Sequence, residues 1–130
     1  MNSVAVTCTA LLGLLLFGLG FAVSMARFKF KVLIGSPSDP TSFMYKLVRA
    51  HANTAEYVPF LAILFLYLGS HNPTDRTLLV MELTTAARFI FVVGMLAFKS
   101  LNAPNPVRFV GAAGTYAGGI SLAATMLFGG

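Results

Sequence analysis

Long stretches without charge constrain this sequence more than any other feature. No charged side chain occurs from Val4 to Met25 or from Phe109 to Gly130. A helix needs about 20 residues to cross the roughly 30 Å hydrocarbon core of a bilayer, so each stretch is long enough to span it. Charged residues make up only 10% of the chain, whereas soluble domains carry about 25%. These observations exclude a soluble globule and indicate a protein that crosses a membrane several times.

Two further segments are apolar enough to be considered as spans. Thr77–Phe98 is interrupted only by Glu82 and Arg88, whereas Ser42–Gly69 has a polar first half and an apolar second half. Because that apolar half, Tyr57–Leu68, is too short to cross alone, the polar half must lie partly inside the membrane. We therefore predict an all-α integral membrane fold of one domain, residues 1–130, with four transmembrane helices at about 4–26, 42–69, 76–98 and 106–128.

Three short polar segments connect the predicted helices, at 35–40, 70–75 and 102–106. Short connections place consecutive helices antiparallel, which predicts an up-down-up-down bundle. The first segment lacks the positive n-region of a signal peptide and has a longer apolar run, so we expect a retained span. The only cysteine, Cys8, excludes an intrachain disulfide, and with two separated histidines it predicts no metal site.

The basic residues predict the orientation of the bundle. They gather around the first and third connections, as Arg27, Lys29, Lys31, Lys46, Lys99 and Arg108. By the positive-inside rule, these two connections are expected in the cytoplasm and both termini on the outer or lumenal side. The net charge of +5 is then a topology signal in a lipid-embedded protein, and we expect no nucleic-acid partner.

A polar face runs through the second predicted helix. Arg49, Asn53 and Glu56 are spaced i, i+4 and i+7 and therefore share one side of it. Counted at 1.5 Å per residue from the outer ends, Glu56 lies about 20 Å deep, Arg88 about 18 Å and Arg49 about 30 Å. Arg108, at the start of the fourth helix, shares the cytoplasmic edge with Arg49. Charged groups inside a bilayer are costly and usually mark a functional or pairing site.

This polar cluster has two interpretations. Three arginines and one glutamate leave positive charge for an anion, and guanidinium binds carboxylates in a bidentate way. Arg27 and Lys46 are expected to add positive potential near its mouth. Alternatively, Glu56 and Arg88 form a structural ion pair while the other two arginines extend to lipid headgroups. Charge arithmetic alone leaves both interpretations open.

The sequence assigns no role to Glu82 or to the small residues of the fourth helix. Glu82 lies about 9 Å from the outer side of the third helix, level with Ser121 and Thr125. Small residues recur every four positions on the fourth helix, at Gly111, Thr115, Gly119 and Ala123, with Gly114 and Gly118 on the adjacent stripe. Such stripes permit close helix approach, either within one subunit or between subunits.

The segment Arg49-Ala-His-Ala-Asn53-Thr-Ala-Glu56-Tyr-Val-Pro59 resembles the helix-two signature of the MAPEG family. These are the membrane-associated proteins of eicosanoid and glutathione metabolism, including microsomal glutathione transferases and membrane prostaglandin E synthase. Arg88 and Gly94 resemble part of a helix-three motif of bacterial members, and Pro104–Gly111 resembles their helix-four start.

The resemblance implies a homotrimer of four-helix subunits that binds glutathione, as co-substrate, between chains near the cytoplasmic side. Arg49, Asn53 and Glu56 would hold its charged and amide groups, and Arg88 would belong to the same pocket. Arg108 would be the catalytic arginine, which stabilises the thiolate or orients the attacked group. The implied activity is glutathione transfer to a hydrophobic electrophile, or reduction of a hydroperoxide.

The chain departs from the family pattern at positions that bear on catalysis. Phe91 stands where many relatives have a histidine, and Met95 where the eukaryotic enzymes place a tyrosine. Ala52 replaces the second arginine of the prostaglandin synthase, and Tyr116 lies deeper on helix four. Eicosanoid chemistry is therefore not expected. The alternative to an enzyme is a non-catalytic membrane subunit or lipid-binding scaffold of the same fold.

Overall fold

A computed structural model describes residues 1–129 as four sequential helices. They are α1 (Ser3–Phe30), α2 (Phe43–Ser70), α3 (Asp75–Ala97) and α4 (Pro106–Phe128). Each is long and apolar enough to cross a membrane. The predicted bounds of α2, α3 and α4 hold to within one residue, whereas α1 extends four residues beyond its predicted end at 26. We call the end with the connections 31–42 and 98–105 the basic end, and the other the terminal end.

Each helix begins at a side-chain cap that the sequence supplies. The caps are Asn2, Ser42, Thr74 and Asn105, and each accepts a hydrogen bond from a backbone N–H of the first turn. Polar oxygens at these positions satisfy amides that have no partner within the helix. The caps therefore set where each helix begins.

The first connection explains the greater length of α1. Lys31 adopts a left-handed conformation with φ of 55°, and its N–H bonds to the Arg27 carbonyl, which closes the helix one turn later than expected. The Arg27 guanidinium then donates to the carbonyls of Val32 (3.3 Å) and Gly35 (2.8 Å). Arg27 therefore holds this connection folded, through contacts that its charge alone does not predict.

The hydrophobic core is formed mainly by α1 and α2, with contributions from α3 and α4. Near the terminal end, Leu12, Phe65 and Met81 are buried together with Leu122. Toward the basic end a second cluster joins Leu19, Val23, Met44, Leu47 and Val92. The outward faces stay apolar, as expected for a lipid-facing surface. Phe17 and Phe21, for example, are largely exposed.

Glycines bring α3 and α4 into backbone contact. A Cβ on Gly94 would overlap the backbone of Arg108, and a Cβ on Gly111 would overlap the backbone of Phe91. A Cβ on Gly118 would overlap the side chain of Thr84. The open question about the small residues is thus answered for the glycines that face α3, because they pack within the chain.

We expect Gly111→Ala to lower the free energy of unfolding by about 1–3 kcal/mol, because the added methyl forces α3 and α4 apart. Gly119→Ala on the same helix is the control, since its Cβ would meet only Leu61 Cδ2 at an ordinary 3.7 Å. The midpoint of thermal denaturation in detergent measures both. Equal midpoints for the two variants would contradict the interlocked packing.

Candidate functional site

Arg88 is the most buried charged residue of the described chain, with 1% of its surface exposed. It lies on α3 and points to α2, where its Nη2 donates to Asn53 Oδ1 (3.0 Å) and Thr54 Oγ1 (3.2 Å). The guanidinium carbon lies 5.4 Å from the centre of the Tyr57 ring and 4.8 Å from that of Phe91. Such distances are typical of cation–π contacts, which help to stabilise a desolvated cation.

The hydrogen bonding of Arg88 is incomplete. Both acceptors are neutral oxygens, and its Nε is buried without a hydrogen-bond partner among residues 1–129. Glu56, the ion-pair partner in the alternative interpretation, is exposed. A buried donor without an acceptor is costly, as is a charge without a counter-charge. Arg88 therefore retains capacity for a further acceptor, and the hydrogen bonds observed do not include a Glu56–Arg88 pair.

Glu56 contributes to a groove between α2 and α4 with a volume of about 420 Å³. The groove is mainly apolar and contains Tyr57 and Tyr116, whose hydroxyl groups lie 3.3 Å apart. Tyr116 therefore lies beside Tyr57, whose ring contacts Arg88. This groove places hydroxyl groups and a carboxylate beside an apolar surface.

Arg108 lies at the basic end, in a separate groove of about 550 Å³ that Phe91 also lines. Its Nη1 donates to the Leu101 carbonyl at 2.9 Å, and its backbone N–H is capped by Asn105 Oδ1 at 3.1 Å. The buried Asn105 also donates to the Gly94 carbonyl at 2.6 Å. Arg108 is thus positioned by the helix-four cap and remains half-buried.

The structure brings together only some of the predicted site residues within one chain. Asn53 and Arg88 are in direct contact. Phe91 lies between Arg88 and Arg108, because its ring stacks on Arg88 and also lines the groove that contains Arg108. Arg49 and Glu56 are both exposed, two turns apart on the same face of α2. One subunit therefore presents these groups on adjoining surfaces rather than in one enclosed pocket.

The side chain of Lys46 makes its contacts within the fold. Its side chain is buried, and its Nζ donates to the carbonyls of Leu96 (3.4 Å) and Phe98 (2.9 Å). These carbonyls lie at the end of α3, where the last turn of a helix lacks amide partners and carries partial negative charge. Lys46 therefore caps α3, and like Arg27 it uses its donors on backbone oxygens.

Three residues of the site were not assigned from the sequence. Thr54 is fully buried and accepts from Arg88, while Tyr57 and Tyr116 form the hydroxyl pair. Tyr57 follows Asn53 by one helical turn, a spacing that could have indicated a shared face. Thr54 carried no such signal, because a buried threonine usually bonds within its own helix.

Comparisons with known proteins agree with the resemblance seen in the sequence. The profile of the MAPEG family matches residues 5–128. No curated protein and no solved structure matches the chain. The match covers all four helices and every residue of the polar cluster.

A double-mutant cycle tests the buried guanidinium. We expect Thr54→Val to lower the free energy of unfolding by about 1–3 kcal/mol, because it removes an acceptor from a buried cation. In an Arg88→Met background the same change should cost much less, giving a coupling energy of about 0.5–3 kcal/mol. The measurement is thermal denaturation in detergent.

The matched control for this cycle is Thr9→Val, since the Thr9 hydroxyl donates only to the Ala5 carbonyl of its own helix. Its effect should add to that of Arg88→Met within about 0.5 kcal/mol. Additivity for Thr54 as well would mean that the Arg88–Thr54 bond contributes nothing to stability.

Proposed function

Because the chain belongs to the MAPEG family, a family of multi-pass membrane proteins of glutathione and eicosanoid metabolism, we propose that it is a glutathione-dependent transferase or peroxidase acting on hydrophobic electrophiles. The observation that carries the proposal is the buried guanidinium of Arg88, which has two neutral acceptors and an unpartnered Nε. Glutathione has two carboxylates, one ammonium, two amides and a thiol. Glutathione therefore carries a net negative charge at neutral pH. A site with more arginines than acids complements that charge, and an acid and an amide in the same site can bind the ammonium and the peptide groups.

The residues present fit this ligand by charge. Arg49 and Arg88 suit the two carboxylates, since guanidinium binds carboxylates in a bidentate way. Glu56 suits the ammonium, and Asn53 offers an amide to the peptide groups. Arg108 is the proposed catalytic residue, because a fixed positive charge raises the fraction of a nearby thiol that is in the thiolate form.

The chemistry follows from that thiolate. In transfer, its sulfur lone pair forms a bond to an electrophilic carbon and the leaving group departs with the bonding electrons. The apolar groove between α2 and α4, with Tyr57 and Tyr116, suits a hydrophobic co-substrate that enters from the lipid. A hydroxyl group there can donate a hydrogen bond to the departing atom.

Oligomerisation is part of the proposal. Arg49 and Glu56 are exposed on the same face of α2, and Glu56 lies at a depth expected to be inside the membrane, where a lipid-facing charge is unfavourable. A homotrimer that joins the α2 faces would cover both residues and place them beside a neighbouring subunit. We also propose that the basic end faces the cytoplasm, because lysine and arginine accumulate there.

One observation favours a second candidate function, a non-catalytic membrane subunit or lipid-binding scaffold. Phe91 and Met95 are buried and pack with Ala50, so apolar side chains fill the positions of the family's histidine and tyrosine. Such a protein would keep the fold and the anion site without turning over a substrate. Glutathione binding without turnover would favour this candidate.

We expect purified protein to bind glutathione, and Arg49→Ala and Arg108→Ala each to weaken binding by about tenfold or more, since hydrogen bonds to charged groups contribute about 1.5–3 kcal/mol. Isothermal titration calorimetry measures the affinity. Arg76→Ala, an exposed arginine at the terminal end, is the control and should bind normally. No binding by the intact oligomer would overturn the enzyme proposal.

Ultraviolet absorbance of the bound thiolate separates activation from binding. Arg108→Ala should lower the thiolate fraction at neutral pH even when glutathione saturates the site, because it removes the stabilising charge. Arg108→Lys should restore part of it. An unchanged thiolate fraction in Arg108→Ala would remove Arg108 from the mechanism.

Native mass spectrometry in detergent should show trimers. For the interface, we place single cysteines in a Cys8→Ala background, at exposed Ala55 on α2 and exposed Val93 on α3. A thiol-specific bifunctional reagent should link subunits through Ala55→Cys far more than through Val93→Cys. Monomers alone, or equal linking at both positions, would contradict the proposed assembly.

A further inference from the structure

A large groove lies outside the proposed glutathione site. It runs between α1 and α3 near the terminal end and has a volume of about 680 Å³. Its walls are mostly apolar, and its polar groups are the hydroxyls of Ser3, Thr7 and Thr85, the thiol of Cys8 and the carboxylate of Glu82. Neither the fold nor the proposed function uses this groove.

Glu82 is exposed in this groove at a depth that makes its charge unfavourable without a partner. It lies seven residues after the start of α3, about 10 Å along the helix, which is inside the hydrocarbon region of a bilayer that α3 spans. An isolated carboxylate at this depth is costly and by default indicates a site with a partner.

The chain itself supplies no obvious cation for Glu82. Arg76 is six residues earlier on α3, a spacing that does not place two side chains on the same face. The other lysines and arginines lie toward the basic end, apart from buried Arg88, which faces α2. The first residues of the chain are directed to α2, where the Asn2 N–H donates to the Gly69 carbonyl.

Charge and shape together define the complementary ligand. The volume is in the range of pockets that hold one small organic molecule. An apolar groove open to lipid accepts an alkyl chain, and the carboxylate with its neighbouring hydroxyls accepts an ammonium group. A phospholipid headgroup amine is anchored at the membrane surface, about 10 Å from Glu82 by helix rise. A single-chain amine can instead place its head at that depth.

We propose that the groove between α1 and α3 binds lipophilic primary amines, with the ammonium group paired to Glu82 and the alkyl chain lying against Ala86, Phe89 and Ile90. This site is separate from the glutathione site and does not depend on it. Its occupant is a free single-chain amine, a class of molecule that partitions into membranes.

The test uses the full-length protein in phosphatidylcholine nanodiscs, with dodecylamine as the probe and dodecanol as its neutral counterpart. We expect the wild-type protein to bind dodecylamine about tenfold or more tightly than dodecanol, because a close charge pair is lost with the alcohol. Glu82→Gln should abolish this preference while leaving dodecanol binding unchanged. Glu82→Asp should keep it.

A second variant tests the groove itself. Ala86 is exposed and lines the groove, so Ala86→Phe should weaken binding of both probes by filling the space for the chain. Glutathione affinity, measured in parallel, should not change in either variant, so failure of this site is distinguishable from failure of the proposed function. Far-ultraviolet circular dichroism establishes that each variant is folded.

Three results would overturn the proposal. They are a retained amine preference in Glu82→Gln, unchanged binding in Ala86→Phe, and displacement of dodecylamine when phosphatidylethanolamine replaces phosphatidylcholine in the nanodisc. The last result would mean that a lipid headgroup occupies the site.

Discussion

The buried guanidinium of Arg88 determines which side chains are needed around it in the middle of this bundle. A cation in an apolar interior must be given acceptors and polarisable neighbours, or it becomes strongly destabilising. Here α2 supplies Asn53 and Thr54 as acceptors, and the rings of Tyr57 and Phe91 cover the remaining faces. The position of α3 against α2 is therefore tied to one side chain, whose leftover donor capacity is also the basis of the proposed ligand site.

The close contact of α3 with α4 carries this arrangement to the basic end. Gly94 and Gly111 have no side chains to separate the two helices. The backbone of Arg108 therefore packs against Gly94, and the backbone of Phe91 packs against Gly111. Asn105 joins the same contact through the Gly94 carbonyl. Arg108 is thus held in place by helix packing and by Asn105, which have no role in the proposed reaction itself. Catalytic positioning in the proposed enzyme depends on two glycines as much as on the arginine.

Sequence reasoning was most accurate where a single physical constraint dominates. The helices had to be long and apolar to span a bilayer, so their number and the bounds of α2, α3 and α4 were predicted to within one residue. It did not predict that Arg27 and Lys46 donate to backbone carbonyls, because charge counting does not show the contacts of each cation. The match of the family profile to residues 5–128 confirms the resemblance, whereas the roles of Arg49, Asn53, Glu56, Arg88 and Arg108 stay predictions.

By itself the sequence determined that the protein is embedded in a membrane, how many spans it has and which face of α2 is polar. Hydropathy and helical spacing, which show these features, are local properties of the chain. Only the tertiary structure decided the surroundings of the charged residues within the spans. Arg88 bonds to Asn53 and Thr54 rather than to Glu56, and Glu82 opens into a groove with α1. Both outcomes depend on the rotation of each helix about its axis. That rotation is set by close packing between helices far apart in sequence, which spacing along one helix does not specify.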